Sequence, residues 1–284
     1  MKRDAWFAAL AAALLCASAL AQPADTLRKI AETRSITLGH RADAIPFSYL
    51  DERGQPAGYS VDVCRAVVAS IERTLAVGQL EVRWVAVTPE SRIGQVVRGG
   101  IDLECGVTTV TLGRQEQVDF SSLIFVEGGS WLARADGGPQ RLADLAGKTV
   151  GVLAGTTTEA RLRETIKARN IDARLVRVND ERDGANAVIE RRVDAFAGDR
   201  VVLLGVGLRA GGGSALTLSQ EDFSVEPYAL MMRRDPAFRL AVNRALAQLY
   251  SGPGIVEIYD RWFGRLGRPG PLLLSIYLLN AFTE

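Results

Sequence analysis

The sequence holds one histidine, three cysteines and four lysines among its 284 residues. A single histidine excludes a histidine-rich metal cluster, and the cysteines are not at zinc-ligand spacing. Any Ser-His-Asp or Cys-His catalytic set would have to use His40, and no Gly-x-Ser-x-Gly elbow accompanies it. His40 therefore reads as a residue at a strand end with a local hydrogen bond. An excess of one charge sign is also missing: 34 basic residues face 33 acidic ones. That balance leaves no field to hold nucleic acid or an anionic membrane. No apolar run reaches the roughly 20 residues that cross a bilayer. The run Gly211-Gly212-Gly213 lacks a following Gly-Lys-Ser/Thr and comes after a helical pattern, so it reads as a loop and not a phosphate cradle. With four lysines the other 30 basic residues are arginines, so one arginine taken alone carries little information.

The composition that remains is that of a globular protein, with 48% hydrophobic and 24% charged residues. The length suggests two domains. Lys2 and Arg3 precede an uncharged run from Ala5 to Leu20, and Ala19-Leu20-Ala21 ends it with small residues where a signal peptidase reads. The expectation is a leader over residues 1–21, cleaved after Ala21, and an exported, periplasmic chain starting at Gln22. Leu15 is too large for lipid attachment at Cys16. Two cysteines then remain, Cys64 and Cys105, which read either as one disulfide of an oxidising compartment or as two buried thiols.

Strand and helix patterns alternate. Ile36 to Gly39 reads as a strand, Phe47 to Tyr49 and Ala57 to Tyr59 as a hairpin, and Ser60 as the cap of a helix burying Val61, Cys64, Val67, Val68 and Ile71. Leu80 to Val87 reads as a strand, Thr88-Pro89 as the cap of the next helix, and Ile101 to Leu103 as the next strand. The rhythm restarts with strands at Thr149 to Leu153, Ala173 to Val178 and Asp194 to Ala197, and helices at Thr157 to Arg169, Ala185 to Arg191 and Val201 to Leu208. Two βαβ series imply an α/β protein of two mostly parallel-sheet lobes, with ligands beyond the carboxyl ends of the strands. Leu272 to Leu279 reads as a segment packed on a lobe surface.

Several loops carry a resemblance. Gly39-His40-Arg41, Pro46-Phe47-Ser48-Tyr49, Gly58-Tyr59-Ser60-Val61-Asp62, Glu104-Cys105-Gly106, Thr108-Thr109, Arg114 with Val118-Asp119-Phe120-Ser121, Gly155-Thr156-Thr157 and Tyr259-Asp260-Arg261-Trp262-Phe263 stand in this order. The set resembles the amino-acid-binding proteins of ABC importers, above all the glutamate/aspartate-binding members. The resemblance implies a two-lobed clamp joined by two hinge strands, near Phe125 to Leu132 and Val225 to Met231. Lobe 1 would comprise residues 22–127 and 228–284, and lobe 2 residues 128–227. It implies no cofactor and no metal. The implied partners are a free amino acid and a membrane permease with its cytoplasmic ATPase, served by a monomer.

In that resemblance Arg114 holds the ligand α-carboxylate, helped by Thr109 and by Thr156 at a helix N-terminus, where N–H groups favour anions. Asp199 pairs with the α-ammonium. The plainer readings are a surface arginine at 114, a helix cap at Thr156 and a cap of the helix from Val201 at Asp199. Arg41 and Arg92 stand where a side-chain carboxylate is held, which favours an acidic ligand. Val107, Pro89, Leu153 and Glu181 depart from the family pattern. Glu181 pointing inward would repel an acidic side chain by about 4 kcal/mol at about 4 Å and an effective dielectric near 20. It could instead neutralise an arginine and favour glutamine or asparagine, or be solvated. A periplasmic dehydratase of prephenate- or arogenate-like acids is the alternative function, with Glu181 as its acid/base.

Overall fold

The computed structural model describes residues 25–211 and 214–282. The leader read at residues 1–21 and two glycines of the triple-glycine loop lie outside the described residues.

The chain opens with helix α1 (Thr26–Thr33) and strand β1 (Ser35–His40), followed by the short strands β2 (Asp43–Ala44), β3 (Ser48–Leu50) and β4 (Pro56–Ala57). The last three form a small antiparallel sheet, with Tyr49 opposite Ala57 as a hairpin requires. Helix α2 (Tyr59–Leu75) follows and buries Val63, Cys64, Val67, Val68 and Ile71 on one face. Its cap is Gly58, not Ser60, which lies inside the first turn. The reason is space: Gly58 has φ 129°, and a Cβ there would stand 2.2 Å from the Phe47 carbonyl oxygen.

Strand β5 (Glu81–Ala86) pairs in parallel with all of β1. Helix α3 (Arg92–Val97) follows, with Ser91 at its cap position, so the Thr88-Pro89 turn precedes the helix instead of capping it. After β6 (Leu103–Glu104) and the single turn α4 (Leu112–Gln115) comes β7 (Asp119–Arg134), at 16 residues the longest strand. The second series is β8 (Thr149–Leu153), α5 (Thr157–Ala168), β9 (Arg174–Val178), α6 (Glu181–Ile189), β10 (Ala195–Asp199), α7 (Arg200–Arg209), β11 (Leu216–Leu218) and β12 (Ser224–Met232). Three helices close the chain: α8 (Pro236–Ser251), α9 (Gly254–Phe263) and α10 (Pro271–Asn280). They return to pack on α2 and β7, and α10 buries Leu273, Ile276 and Tyr277 there.

The sequence pattern implies a sheet in each lobe; apart from the small β2–β4 sheet, the strands of both lobes run on as one, in the order β5-β1-β6-β12-β7-β10-β8-β9, with β11 also on β7. The cause is the length of β7. Its first part pairs antiparallel with β12, and residues Gly129 to Ala133 pair with β10. At a rise of about 3.3 Å per residue such a strand reaches through both lobes. Helix-covered parallel pairs lie to either side, β1 with β5 and β8 with β9. Phe47, Tyr59, Phe125, Tyr228 and Phe263 pack ring on ring in the core, with Phe47 and Phe125 4.8 Å apart. The Tyr59 hydroxyl donates to the Ile124 carbonyl at 2.7 Å.

Cys64 in α2 and Cys105 just after β6 are joined as a disulfide. It decides between the two readings of these cysteines. With the two ends 41 positions apart in sequence, loop closure in the unfolded chain makes the bond worth about 4 kcal/mol.

Candidate functional site

The loops that leave the carboxyl ends of the parallel strands converge. Arg41 follows β1, Arg92 opens α3 after β5, Thr109 follows β6, Thr156 follows β8, Glu181 opens α6 after β9, and Asp199 ends β10. Crossovers put these ends on one side of the sheet, where α/β folds place ligands. Among the described residues the buried arginines are Arg41, Arg92 and Arg114, at 3%, 2% and 8% exposure. These are the arginines the sequence singles out from 30. Burying a guanidinium is costly unless it is paired, so each must have partners or a ligand.

A cavity of about 10 Å³, room for one water-sized centre, is lined by Arg41, Arg92, Thr156, Glu181 and Asp199, with Val107 and Leu153 as apolar wall. Arg114 and Thr109 do not line it; they stand at its edge behind Thr157. Arg114 Nη1 donates to the Thr109 carbonyl at 2.7 Å, and Nη2 reaches across to the Gly155 carbonyl at 3.3 Å. Burial lowers the Arg114 pKa, and Glu226 is the main group opposing that shift. Glu226, fully buried on β12, accepts from the hydroxyls of Thr109, Thr157 and Ser224, each at 2.6 Å.

Thr156 behaves as the plainer reading expects. Its hydroxyl accepts from Glu159 N at 3.1 Å and donates to the Leu153 carbonyl at 2.8 Å, so its side chain is committed to the cap of α5. Asp199 does not. It occupies the cap position of α7 but makes no capping bond. Glu127 Oε2 takes the Val201 N–H instead, at 2.6 Å, and Asp199 accepts from the Tyr228 hydroxyl, which also meets Glu127. Burial and then the neighbouring Glu226 push the Asp199 carboxyl up, while burial and Asp199 push Glu127 up.

At the other end, Arg41 Nη2 pairs with Asp43 at 2.7 Å and lies 4.0 Å from Glu181 Oε1. Burial works to lower the Arg41 pKa; Asp43 and then Glu181 more than reverse it. Arg92 Nη1 donates to the Val107 carbonyl at 3.1 Å, and burial brings its pKa down to about 10. Glu181 is 6% exposed, which removes the solvated reading. Burial first, then Asp43, raises its carboxyl to about 8 against the pull of Arg41.

The two lobes touch through these groups. The Glu181 N–H donates to Asp43 Oδ2 at 3.0 Å, and the Thr157 and Thr109 hydroxyl oxygens, both donating to Glu226, lie 3.1 Å apart. His40 Nδ1 lies 2.8 Å from the Arg41 carbonyl, the local bond its place suggests. Asp43, Thr157, Glu127, Glu226 and Tyr228 escape the sequence reading. A signal existed for two of them: Glu127 and Glu226 are charges inside otherwise apolar hinge-strand runs.

Comparison with known proteins agrees with this geometry. The profile of the bacterial extracellular solute-binding proteins, family 3, matches residues 36–265. The chain is 37% identical over 258 residues to the L-glutamate/L-aspartate-binding protein of Pseudomonas aeruginosa, covering 90% of this chain and 85% of that one. It is 33% identical over 259 residues to the glutamate/aspartate import solute-binding protein of Escherichia coli, covering 88% and 86%. Among solved structures, an ancestral arginine-binding protein bound to glutamine is 25% identical with a TM-score of 0.72, over 81% of this chain and 98% of that one. The ancestral amino acid-binding protein AncCDT-1, a precursor of cyclohexadienyl dehydratase, is likewise 25% identical with a TM-score of 0.72, over 84% and 100%. Two lobes on a shared sheet, a polar cleft at the strand ends and a match over most of the chain have one explanation: this chain is a member of the bacterial extracellular solute-binding proteins, family 3.

Proposed function

We propose that the protein captures a polar amino acid in the periplasm by closing its lobes and delivers it, as a monomer, to an ABC permease driven by a cytoplasmic ATPase. The observation that carries this is the convergence of Arg41, Arg92, Thr156, Glu181 and Asp199, from loops of both lobes, on one closed cavity edged by Arg114 and Thr109. A free amino acid brings an α-carboxylate, an α-ammonium and a side chain, and each needs a partner once water is excluded. Arg114 with Thr109 and the N–H groups at the start of α5 suit the carboxylate; Asp199 suits the ammonium. Arg41 and Arg92 suit an acidic side chain, as the names of the relatives suggest.

The proposed hinge is the β7–β12 pair, with residues 22–127 and 228–284 forming lobe 1 and residues 128–227 forming lobe 2. The antiparallel pairing of Ser224–Met232 with the first part of β7 supports it. Export by the leader of residues 1–21, cleaved after Ala21, completes the reading. Among the described residues no helix is long and apolar enough to cross a membrane.

Thermal unfolding against all common amino acids and dicarboxylates tests the proposal. A ligand at about 100 times its Kd stabilises by about 2.7 kcal/mol. A shift with glutamate, aspartate or their amides is expected, and no shift with any amino acid would sink the reading. The alternative is a dehydratase, favoured by one observation, the protonatable buried carboxyl of Glu181 in the cavity. Turnover of prephenate or arogenate would establish it.

A further inference from the structure

Asp199 stands at the cap position of α7, where an aspartate ordinarily accepts from the N–H of the second or third helical residue. Here it does not. The second helical residue is Val201, and its N–H is held at 2.6 Å by Glu127 Oε2, from the hinge strand β7. Strand register puts Glu127 there. Gly129 of β7 pairs with Asp199, the last residue of β10, and β7 runs on past that end. Continuing the antiparallel count brings residue 201 level with residue 127, which shares a face of the strand with residue 129.

Glu127 is an unfavourable residue for this strand. It lies directly opposite Glu226 in the β7–β12 pairing, and like charges so placed destabilise a sheet. A side chain that breaks a local rule, and fills a bond its neighbour was placed to make, points to a task beyond stability. The neighbour is the clue. Among the described residues the Asp199 carboxylate has one protein hydrogen bond, with the Tyr228 hydroxyl, and it lines the closed cavity. As the cap of α7 it would spend an oxygen on the Val201 N–H and turn toward the helix.

We propose that Glu127 is a positioning residue: by capping α7 in place of Asp199, it keeps the Asp199 carboxylate directed at the cavity for the ligand ammonium. The proposal rests on the amino-acid reading above and adds to it a residue that does not line the cavity. The first N–H groups of α7 still meet an anion, but one supplied from the hinge. The role demands an acceptor, not a charge. Glu127 Oε1 and Asp199 Oδ2 share the Tyr228 hydroxyl, whose single proton cannot serve both. In Glu127→Gln the amide oxygen can take the Val201 N–H and the amide nitrogen can donate to the Tyr228 oxygen, leaving the hydroxyl to donate to Asp199. In Glu127→Ala the Val201 N–H is open to Asp199.

The test is a double-mutant cycle on the leader-free chain, with Glu127→Ala, Asp199→Ala and the pair, read by calorimetry with L-glutamate and L-aspartate. Glu127→Ala should weaken binding about tenfold or more, the loss of a charge-assisted partner. Its unliganded melting temperature should stay within a few degrees of wild type, because Asp199 takes over the cap. In the Asp199→Ala background the same substitution should cost less than about twofold. Glu127→Gln should bind nearly as the wild type does. A crystal structure of Glu127→Ala should show an Asp199 oxygen on the Val201 nitrogen, and it decides the matter where the double variant binds too weakly to measure. Equal losses in both backgrounds, an Asp199 that stays in place, a Glu127→Ala chain that fails to fold, or a loss in Glu127→Gln as large as in Glu127→Ala overturns the proposal and leaves the amino-acid site standing. No binding of any amino acid by the wild type overturns the parent reading, and this inference with it.

Discussion

At one end of the cleft Arg114, Thr109, Thr157 and Glu226 satisfy one another; at the other Arg92 Nε and Glu181 Oε2 face the cavity with nothing to bond. Both ends bury arginine beside carboxylate, yet they are built differently. The first end would meet groups that every amino acid carries, so its geometry can be locked by hydroxyls and carbonyls of the protein itself. The second would meet what differs between amino acids, and there the protein supplies unfilled valences in place of a finished network. Specificity of this kind comes from what is left unpaired without the right ligand.

The contrast can be broken most severely at Arg114. In Arg114→Ala the α-carboxylate loses its buried guanidinium, at a cost of about 2–5 kcal/mol. Affinity for glutamate and glutamine should fall together by about 30-fold to several thousandfold, with their ratio unchanged, as read by calorimetry. Retained binding would remove Arg114 from the site. A smaller loss, again shared by both ligands, is expected in Gly205→Ala. Gly205 of α7 packs so closely on the opposite lobe that a Cβ would stand 2.6 Å from the Ile45 carbonyl oxygen. Such overpacking costs about 1–3 kcal/mol, and here the cost falls on closure. Binding should weaken about tenfold or more while the melting temperature without ligand stays within a few degrees. An unliganded melting temperature that drops as far as the liganded one would show the contact to be plain core packing.

The smallest effect should be the most selective. Asp43→Asn removes a carboxylate that raises the Glu181 pKa and occupies Arg41. With Asp43 gone and Arg41 free to pair with it, Glu181 ionises more readily, so glutamate should lose a few-fold against glutamine at pH 8, a fraction of a pKa unit in energy. An unchanged ratio would mean that Asp43 serves only as the latch to the Glu181 N–H.

Much of the fold was legible because it follows from periodicity. The alternation of apolar strands with capped amphipathic helices gave β1, β5, β8, β9 and the helices between them nearly to the residue. The single sheet was not legible, because pairing β7 with both β12 and β10 is a property of strand length and register, not of local pattern. In the site, the ordered loops picked out the three buried arginines from among many. They did not reveal that Glu127 would take the capping role from Asp199, since those partners are far apart in sequence, or that Asp43, only two residues from Arg41, would turn toward it. Glu181 could be read as solvated, neutralising or repelling; its polar neighbours along the chain could not tell these apart.

The sequence by itself determined where the strands end and which charged residues stand there, because a β-strand followed by a capped helix is a local matter of side-chain spacing and hydrogen bonding. The tertiary structure alone decided the charge state those residues adopt. Burial and neighbours brought from distant loops, Asp43 and Arg41, set whether Glu181 holds a proton. Those energies depend on distance and dielectric in the folded cleft.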